Sequence, residues 1–231
     1  MEFRIGTGGW QYFPVPTADK LKGFSKIFDF VEVNSTFYTH VPFSTVRRWR
    51  EAVPPEFEFS AKCSREVTSA LRSGDMSQLA QHMEYMERVC EILDASVLVL
   101  QTPAGLNLDR VSNDDLLSLL DSLKAAGLRL AWEIRSQLPS SVLSLLRSHG
   151  VIHVSDLSRE SPLLQNDILY TRLFGLGHHN LYRFTEQDFE GIEGKAMSSG
   201  SKKAYYAFHG VAMYADALKF KRAVGAREAP H

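Results

Sequence analysis

The chain has 231 residues, enough for one large domain or two small ones, and its 44% apolar share can fill a substantial core. With 26 basic residues against 27 acidic ones the net charge is −1, which leaves no basic footprint for nucleic acid or for an acidic membrane surface. The two cysteines, Cys63 and Cys90, supply neither a disulfide framework nor a zinc ligand set, so a reducing cytoplasm is expected. The opening stretch MEFRIGTGGW enters a strand almost at once and has no basic region ahead of an apolar one, so no signal peptide is expected. No apolar run approaches the roughly 18 residues of a membrane span.

In chain order, short β-branched or aromatic runs predict strands at Phe3–Thr7, Phe30–Ser35, Phe57–Lys62, Val97–Gln101, Arg129–Arg135, Val151–Asp156, Leu169–Phe174 and Ala204–His209. Helical patterns lie between most of them. TADKLKGFSKIF follows the first strand, PFSTVRRWREAV the second, and MSQLAQHMEYMERVCEIL the third. Then come SNDDLLSLLDSLKAAG, SSVLSLLRSHG, TEQDFEGIEGKAM and VAMYADALKFKRAVG. The link after the sixth strand, LSRESPLLQND, is short and broken by Pro162. In the third pattern Met76, Leu79, Met83, Met86, Cys90 and Leu93 form one apolar stripe, the packing face of an amphipathic helix. Gly127 and Gly150 stand where helix C-caps belong.

Repeated strand–helix units mean a parallel sheet with right-handed crossovers. Both a closed eight-stranded barrel and an open doubly wound sheet satisfy that pattern. Strands of an open sheet, covered on both faces, read as continuous apolar runs. Several strands here alternate instead, which favours a compact TIM-type (β/α)8 barrel of one domain, residues 1–225, with 226–231 a frayed tail. Such barrels typically need about 250 residues and start near 200.

The side-chain period of two assigns faces. Glu32 and Asn34 oppose Val31 and Val33; Glu58, Ser60 and Lys62 oppose Phe57, Phe59 and Ala61. Ala131, Glu133 and Arg135 share a face, as do Tyr170 and Arg172, while Thr7, Gln101, Asp156 and His209 end their strands. Read this way, the polar residues gather at the C-terminal strand ends, where barrel enzymes place their chemistry. Like charges about 8 Å apart repel by roughly 2 kcal/mol at an effective dielectric near 20, so these carboxylates and cations must interleave. A structural salt-bridge network would do that, but stability alone rarely favours buried ion pairs over apolar ones.

The expected ligand is therefore a small anionic or polyhydroxyl metabolite. Arg135 and Arg172 would bind an anion, Lys62 would be a second cation or proton donor, and Glu133 the general base. Asp156 and Asn34 would orient the substrate or the cations, with Tyr38 and Gln101 lining it and His209 a further acid–base candidate. After the seventh strand, Gly175, Gly177 and His178 suggest a phosphate or carboxylate loop, since glycines can turn N–H groups toward an anion. Gly8 and Gly9 let the chain bend, with Trp10 packed over the barrel end or stacked on a ligand. Glu133, Asp156 and His209 are also divalent-metal ligand types, but no short motif links them and no metal set is assigned. A Cys63 nucleophile is disfavoured, since its parity turns it away from Lys62. No motif specifies a cofactor or an oligomeric state. The rival reading is a non-catalytic module that binds small molecules or associates with nucleic acid.

The blocks IGTGGWQY, VEVNSTFYTHVPFSTVRRW, PPEFEFSAKCSREVT, VLVLQTP, WEIRS and YTRLFG…LYRFTEQD resemble, in this order, the YecE-like family, domain of unknown function 72. The resemblance spans nearly the whole chain and implies a TIM-type barrel with no established activity. Asn34, Tyr38, Lys62, Gln101, Glu133, Arg135, Asp156 and Arg172 match the family pattern. Ser69, Phe174-Gly175, Leu138 and His209-Gly210 depart from it, leaving His178, His179 and His209 as the histidines able to serve acid–base chemistry.

Overall fold

The computed structural model describes residues 1–14, 16, 19–104, 111–135, 138–177 and 179–228. Among them the β-branched runs become β1 (Glu2–Thr7), β2 (Phe30–Val33), β3 (Glu58–Lys62), β4 (Val97–Thr102), β5 (Arg129–Ile134), β6 (Ile152–His153), β7 (Ile168–Leu173) and β8 (Lys203–Phe208). The helices are α1 (Lys20–Phe24), α2 (Ser35–Tyr38), α3 (Phe43–Glu51), α4 (Arg65–Ser73), α5 (Met76–Leu93), α6 (Asn113–Ala125), α7 (Ser140–Ser148), α8 (Glu186–Ser198) and α9 (Met213–Glu228). The strands make one sheet in the order β6-β5-β4-β3-β2-β1-β8-β7. A parallel bridge from Ser155 to Thr171 joins the chain just past β6 to β7. The fold is thus a nearly closed β/α barrel of parallel strands.

The local chemistry explains most boundaries. In α5 the buried positions are Leu79, Met83, Met86, Val89, Cys90 and Leu93, the anticipated stripe with Val89 added and Met76 only half-buried, and Asp75 caps its start by accepting from Gln78 N–H. Gly127 (φ 72°) and Gly150 (φ 62°) take left-handed conformations just past α6 and α7. Thr185 and Asp188 form a reciprocal capping box at the start of α8. Two strands are shorter than their alternation implies. β2 stops at Val33 because Asn34 is already helical (φ −86°, ψ −18°), and Thr36 Oγ1 sits 3.0 Å from Val33 O and 2.6 Å from Lys62 O. β6 keeps only two residues; past it the chain makes a single bridge at Ser155 and then turns at 157–159, where the Asp156 carboxylate accepts from Ser158.

The chain divides into two compact units: Met1–Glu32 with Val53–Glu58 and Val154–His231, and Val33–Ala52 with Phe59–His153. The first has an aromatic core in which Phe13, Phe24 and Phe28 pack edge to face or tilted at 4.6–5.8 Å. There β1 and β2 run so close that a Cβ on Gly6 would lie 1.8 Å from Phe30 O, so only glycine fits. The second unit is built on the α5 stripe and on β4, whose four valines and leucines are all buried.

Candidate functional site

In the first unit, strand register decides which side chains meet. Gly6 pairs with both Phe30 and Ala207, Arg172 with Ala207, and Tyr170 with Tyr205. Registered partners in parallel strands share a face, so Glu32, Tyr170, Arg172 and His209 project together. The small partners Gly6 and Ala207 leave room for the long Arg172 side chain. This set lies toward the C-terminal ends of β2 and β7 and just past β8.

Glu32 is fully buried (0% exposed). Its Oε2 accepts from Tyr170 Oη at 2.9 Å. Its Oε1 lies 3.1 Å from Arg172 Nη2 and 3.5 Å from His209 Nε2, yet no donor is aligned with it and the structure gives it no hydrogen bond. We regard the Arg172 contact as an ion pair that lacks hydrogen-bond geometry. Arg172, itself 3% exposed, donates from Nε to His209 Nε2 at 3.3 Å. That bond requires a lone pair on Nε2 and so a neutral imidazole with its proton on Nδ1. A hydrogen bond from His209 to Glu32 Oε1 would instead require a proton on Nε2. One nitrogen cannot do both at once, so whether Nε2 carries a proton, by tautomer or by protonation, decides whether it serves Arg172 or Glu32. Phe174 stacks on His209 at 4.7 Å, with the Arg172 guanidinium 5.4 Å from the Phe174 ring centre.

Asp156 holds a loop together. Its Oδ1 accepts from Ser158 N–H (3.0 Å) and Oγ (2.5 Å), and its Oδ2 from Phe174 N–H (2.9 Å) and Gly175 N–H (3.2 Å). Arg159 donates to the carbonyls of Gly175 and Gly177. The Gly175 N–H expected to face an anion thus faces the chain's own carboxylate. His178 lies outside the described residues.

The second unit gathers another set. Gln101 pairs with Glu133 and Lys62 with Val99, so Lys62, Gln101 and Glu133 share one face of β3–β5. Arg135 folds back on Glu133 Oε1, with Nε at 2.6 Å and Nη2 at 2.5 Å. Lys62 is buried with its ammonium 4.0 Å from the Phe37 ring centre, and Tyr38 meets Phe37 edge to face at 5.0 Å while staying exposed. Asn34 begins α2 instead of ending a strand. Burial pushes the His153 imidazole down, against the upward pull of Glu133. Burial also raises the Cys63 thiol well above its ordinary value, which removes it as a nucleophile.

Three residues carry a different weight from the one their alternation implies. Glu58 shares the parity of Lys62 but opens β3, at the opposite strand end, where it binds Arg4, Lys203 and Tyr205. Glu32 and Tyr170, read only as inward-facing, form the most deeply buried polar contact of the first unit's set. The signal was present in VEVN, where the carboxylate lies one pleat deeper than the asparagine. Trp10 is buried and packs within the first unit. Among the described residues no group of three or more His, Cys, Asp or Glu side chains converges as a metal site. Asp156 is taken up by four donors and His209 sits beside a guanidinium, so neither is disposed to bind a cation. Among the described residues no helix is long and apolar enough to cross a membrane.

Parallel β/α barrel architecture with an ionisable cluster at the C-terminal strand ends defines the class. Residues 4–231 match the family model "Protein of unknown function DUF72", and the chain belongs to that family. A DUF72 family protein from Enterococcus faecalis V583 has a similar structure at 16% identity (TM-score 0.71, covering 97% of this chain and 98% of that one). Another, from Thermotoga maritima MSB8, is 20% identical (TM-score 0.70, covering 97% and 100%). A D-tagatose 3-epimerase-like protein is 13% identical (TM-score 0.63, covering 98% and 96%). At these identities the likeness carries the fold alone. No curated protein sequence matches the chain.

Proposed function

We propose that the chain is an enzyme that moves a proton on a small anionic or polyhydroxyl metabolite, with His209 as the group that exchanges it. The carrying observation is Glu32 Oε1: a fully buried carboxylate oxygen without a hydrogen bond, 3.5 Å from His209 Nε2. A buried acceptor left unmade costs about 1–3 kcal/mol, and an imidazole that gains a proton would turn to it. Glu32 then stabilises the imidazolium, Arg172 balances the carboxylate, and Tyr170 fixes its orientation. In the second unit, taken by itself, Glu133 is a separate base candidate beside Arg135 as an anion partner, and Lys62, Gln101, Asn34 and Tyr38 are proposed contacts for a ligand held there. Asp156 supports the loop that carries Phe174. The fold shared with a D-tagatose 3-epimerase-like protein makes sugars the first compounds to try.

The test is a thermal-shift screen of sugars, polyols and hydroxy acids, followed by incubation of each hit with enzyme in D2O. A ligand at 100 times its dissociation constant stabilises by about 2.7 kcal/mol, a rise of roughly 5–10 °C for a chain of this size. We expect mass-detected deuterium uptake into a hit, retained binding in His209→Gln, and loss of uptake there. Binding without uptake in the wild type would favour the non-catalytic module. Hits indifferent to both His209→Gln and Glu32→Gln would remove the cluster from the account.

A further inference from the structure

We infer that the substrate of the His209 cluster carries an apolar tail, seated on Leu176, Leu181 and Val211. The inference rests on the reading of Glu32, Arg172 and His209 as a ligand site and narrows its substrate class to amphiphilic compounds, a polar head on an alkyl or aryl body. These three side chains are among the most exposed large apolar groups of the first unit, at 58%, 64% and 72%. Single exposed apolar residues are ordinary, but adjoining ones on loops beside a site are not.

Their adjacency is built into the backbone. Val211 N–H donates to Asn180 O at 3.1 Å, which ties the loop after β8 to the loop after β7 beside Leu181. The approach is so close that a Cβ on Gly210 (φ 102°) would lie 2.8 Å from Asn180 O. His179 (φ 55°) and Asn180 (φ 58°) both hold left-handed conformations, which residues with side chains rarely adopt, in the turn that presents this carbonyl. On the other side Leu176 stands between Gly175 and Gly177, where added Cβ atoms would meet Tyr182 side-chain atoms at 2.1 and 3.3 Å. The loop therefore folds back on itself and brings Leu176 toward the Leu181–Tyr182 corner. The same two loops deliver the site. Phe174 lies two residues before Leu176 and His209 two residues before Val211, and their rings are stacked. An apolar surface thus continues outward from the imidazole, and a ligand with its polar head at His209 would lay its remainder there.

The experiment titrates the whole chain with two probe series, straight-chain 2-hydroxy acids and n-alkyl glycosides of rising length, by calorimetry. The variant is Leu176→Ser/Leu181→Ser/Val211→Ser, whose changes are all at exposed positions. In the wild type, affinity should rise about fourfold for each methylene buried over the first several carbons. The triple variant should bind the shortest members as the wild type does and show no gain with length. Tail-independent affinity in the wild type, with the short members binding, overturns this inference and leaves the His209 reading intact. Binding of no member at any length overturns both. Self-association that the triple variant abolishes, without tail dependence, also overturns it and makes these loops a docking face for a second copy.

Discussion

Two carboxylates of the first unit, Glu58 and Glu32, are each held by one of a pair of stacked tyrosines, and their surroundings differ. Tyr205 donates to Glu58 Oε2 at 2.5 Å and Tyr170 to Glu32 Oε2 at 2.9 Å; the two rings stack at 5.6 Å. Around Glu58 every acceptor is satisfied, with Arg4 Nε at 2.5 Å and Lys203 Nζ at 2.7 and 2.8 Å. Burial opposes ionisation there, but the hydrogen bonds from Lys203, Tyr205 and Arg4 prevail and hold the Glu58 carboxyl below its usual range. Glu32 is more deeply buried and less well served, with Oε1 lacking a hydrogen bond. A cluster selected for stability should resemble the first. The second retains an unmet acceptor, the arrangement expected of a group that must change partners during a reaction.

The largest expected effect comes from Arg172→Ala, which would leave a fully buried carboxylate without its cation. Breaking such a pair costs about 3–5 kcal/mol, or a fall in melting temperature of roughly 6–20 °C at this chain length. Melting curves of the variant and the wild type at neutral pH would register it.

Glu58→Gln should cost less, about 2 kcal/mol, since the side chain is 24% exposed and solvent screens part of the interaction. Its contribution depends on pH. The folded pKa of Glu58 is depressed, so its contribution is present above the unfolded value near about 4.3 and is lost as pH falls through the folded one. The wild type should therefore lose stability in acid more steeply than Glu58→Gln, with the two curves converging at low pH.

Asp156→Ala sharpens the contrast at smaller scale, because it strips Phe174 N–H and Gly175 N–H of their acceptor. A loss of about 1–2 kcal/mol is expected, with hydrogen exchange accelerated at those two amides, just past β7, before the amides of the strand itself.

The alternation that predicted the strands also grouped Arg172 with Tyr170 and Lys62 with Glu58, because side-chain parity is fixed by the pleat. Parity does not report height along the strand. That is why Glu58, which begins β3, appeared to belong with residues that end theirs. Asn34 escaped the strand through a Thr36 hydroxyl that reaches the Val33 and Lys62 carbonyls, and the Lys62 contact spans segments far apart in sequence. The glycines after β7 did mark a tight loop. That their N–H groups would meet Asp156 depends on the bend after β6, which no local pattern encodes. Histidine 209 was legible as a polar strand end, whereas its choice between Arg172 and Glu32 emerges only from three strands in register.

The most direct test replaces both partners of each pair and compares melting temperatures at neutral pH. Glu32→Gln/Arg172→Met keeps an acceptor for Tyr170 and removes the buried ion pair. Glu58→Gln/Arg4→Met removes the corresponding pair at the other strand end, where Lys203 loses the nearer of its two carboxylates, Glu58 at 2.7 Å against Glu2 at 3.9 Å. Replacing a buried pair by groups of similar shape is often neutral or stabilising, so the first double variant should melt at or above the wild type and the second several degrees below it. Equal falls in both would contradict the account, since Glu32 would then serve the fold as Glu58 does.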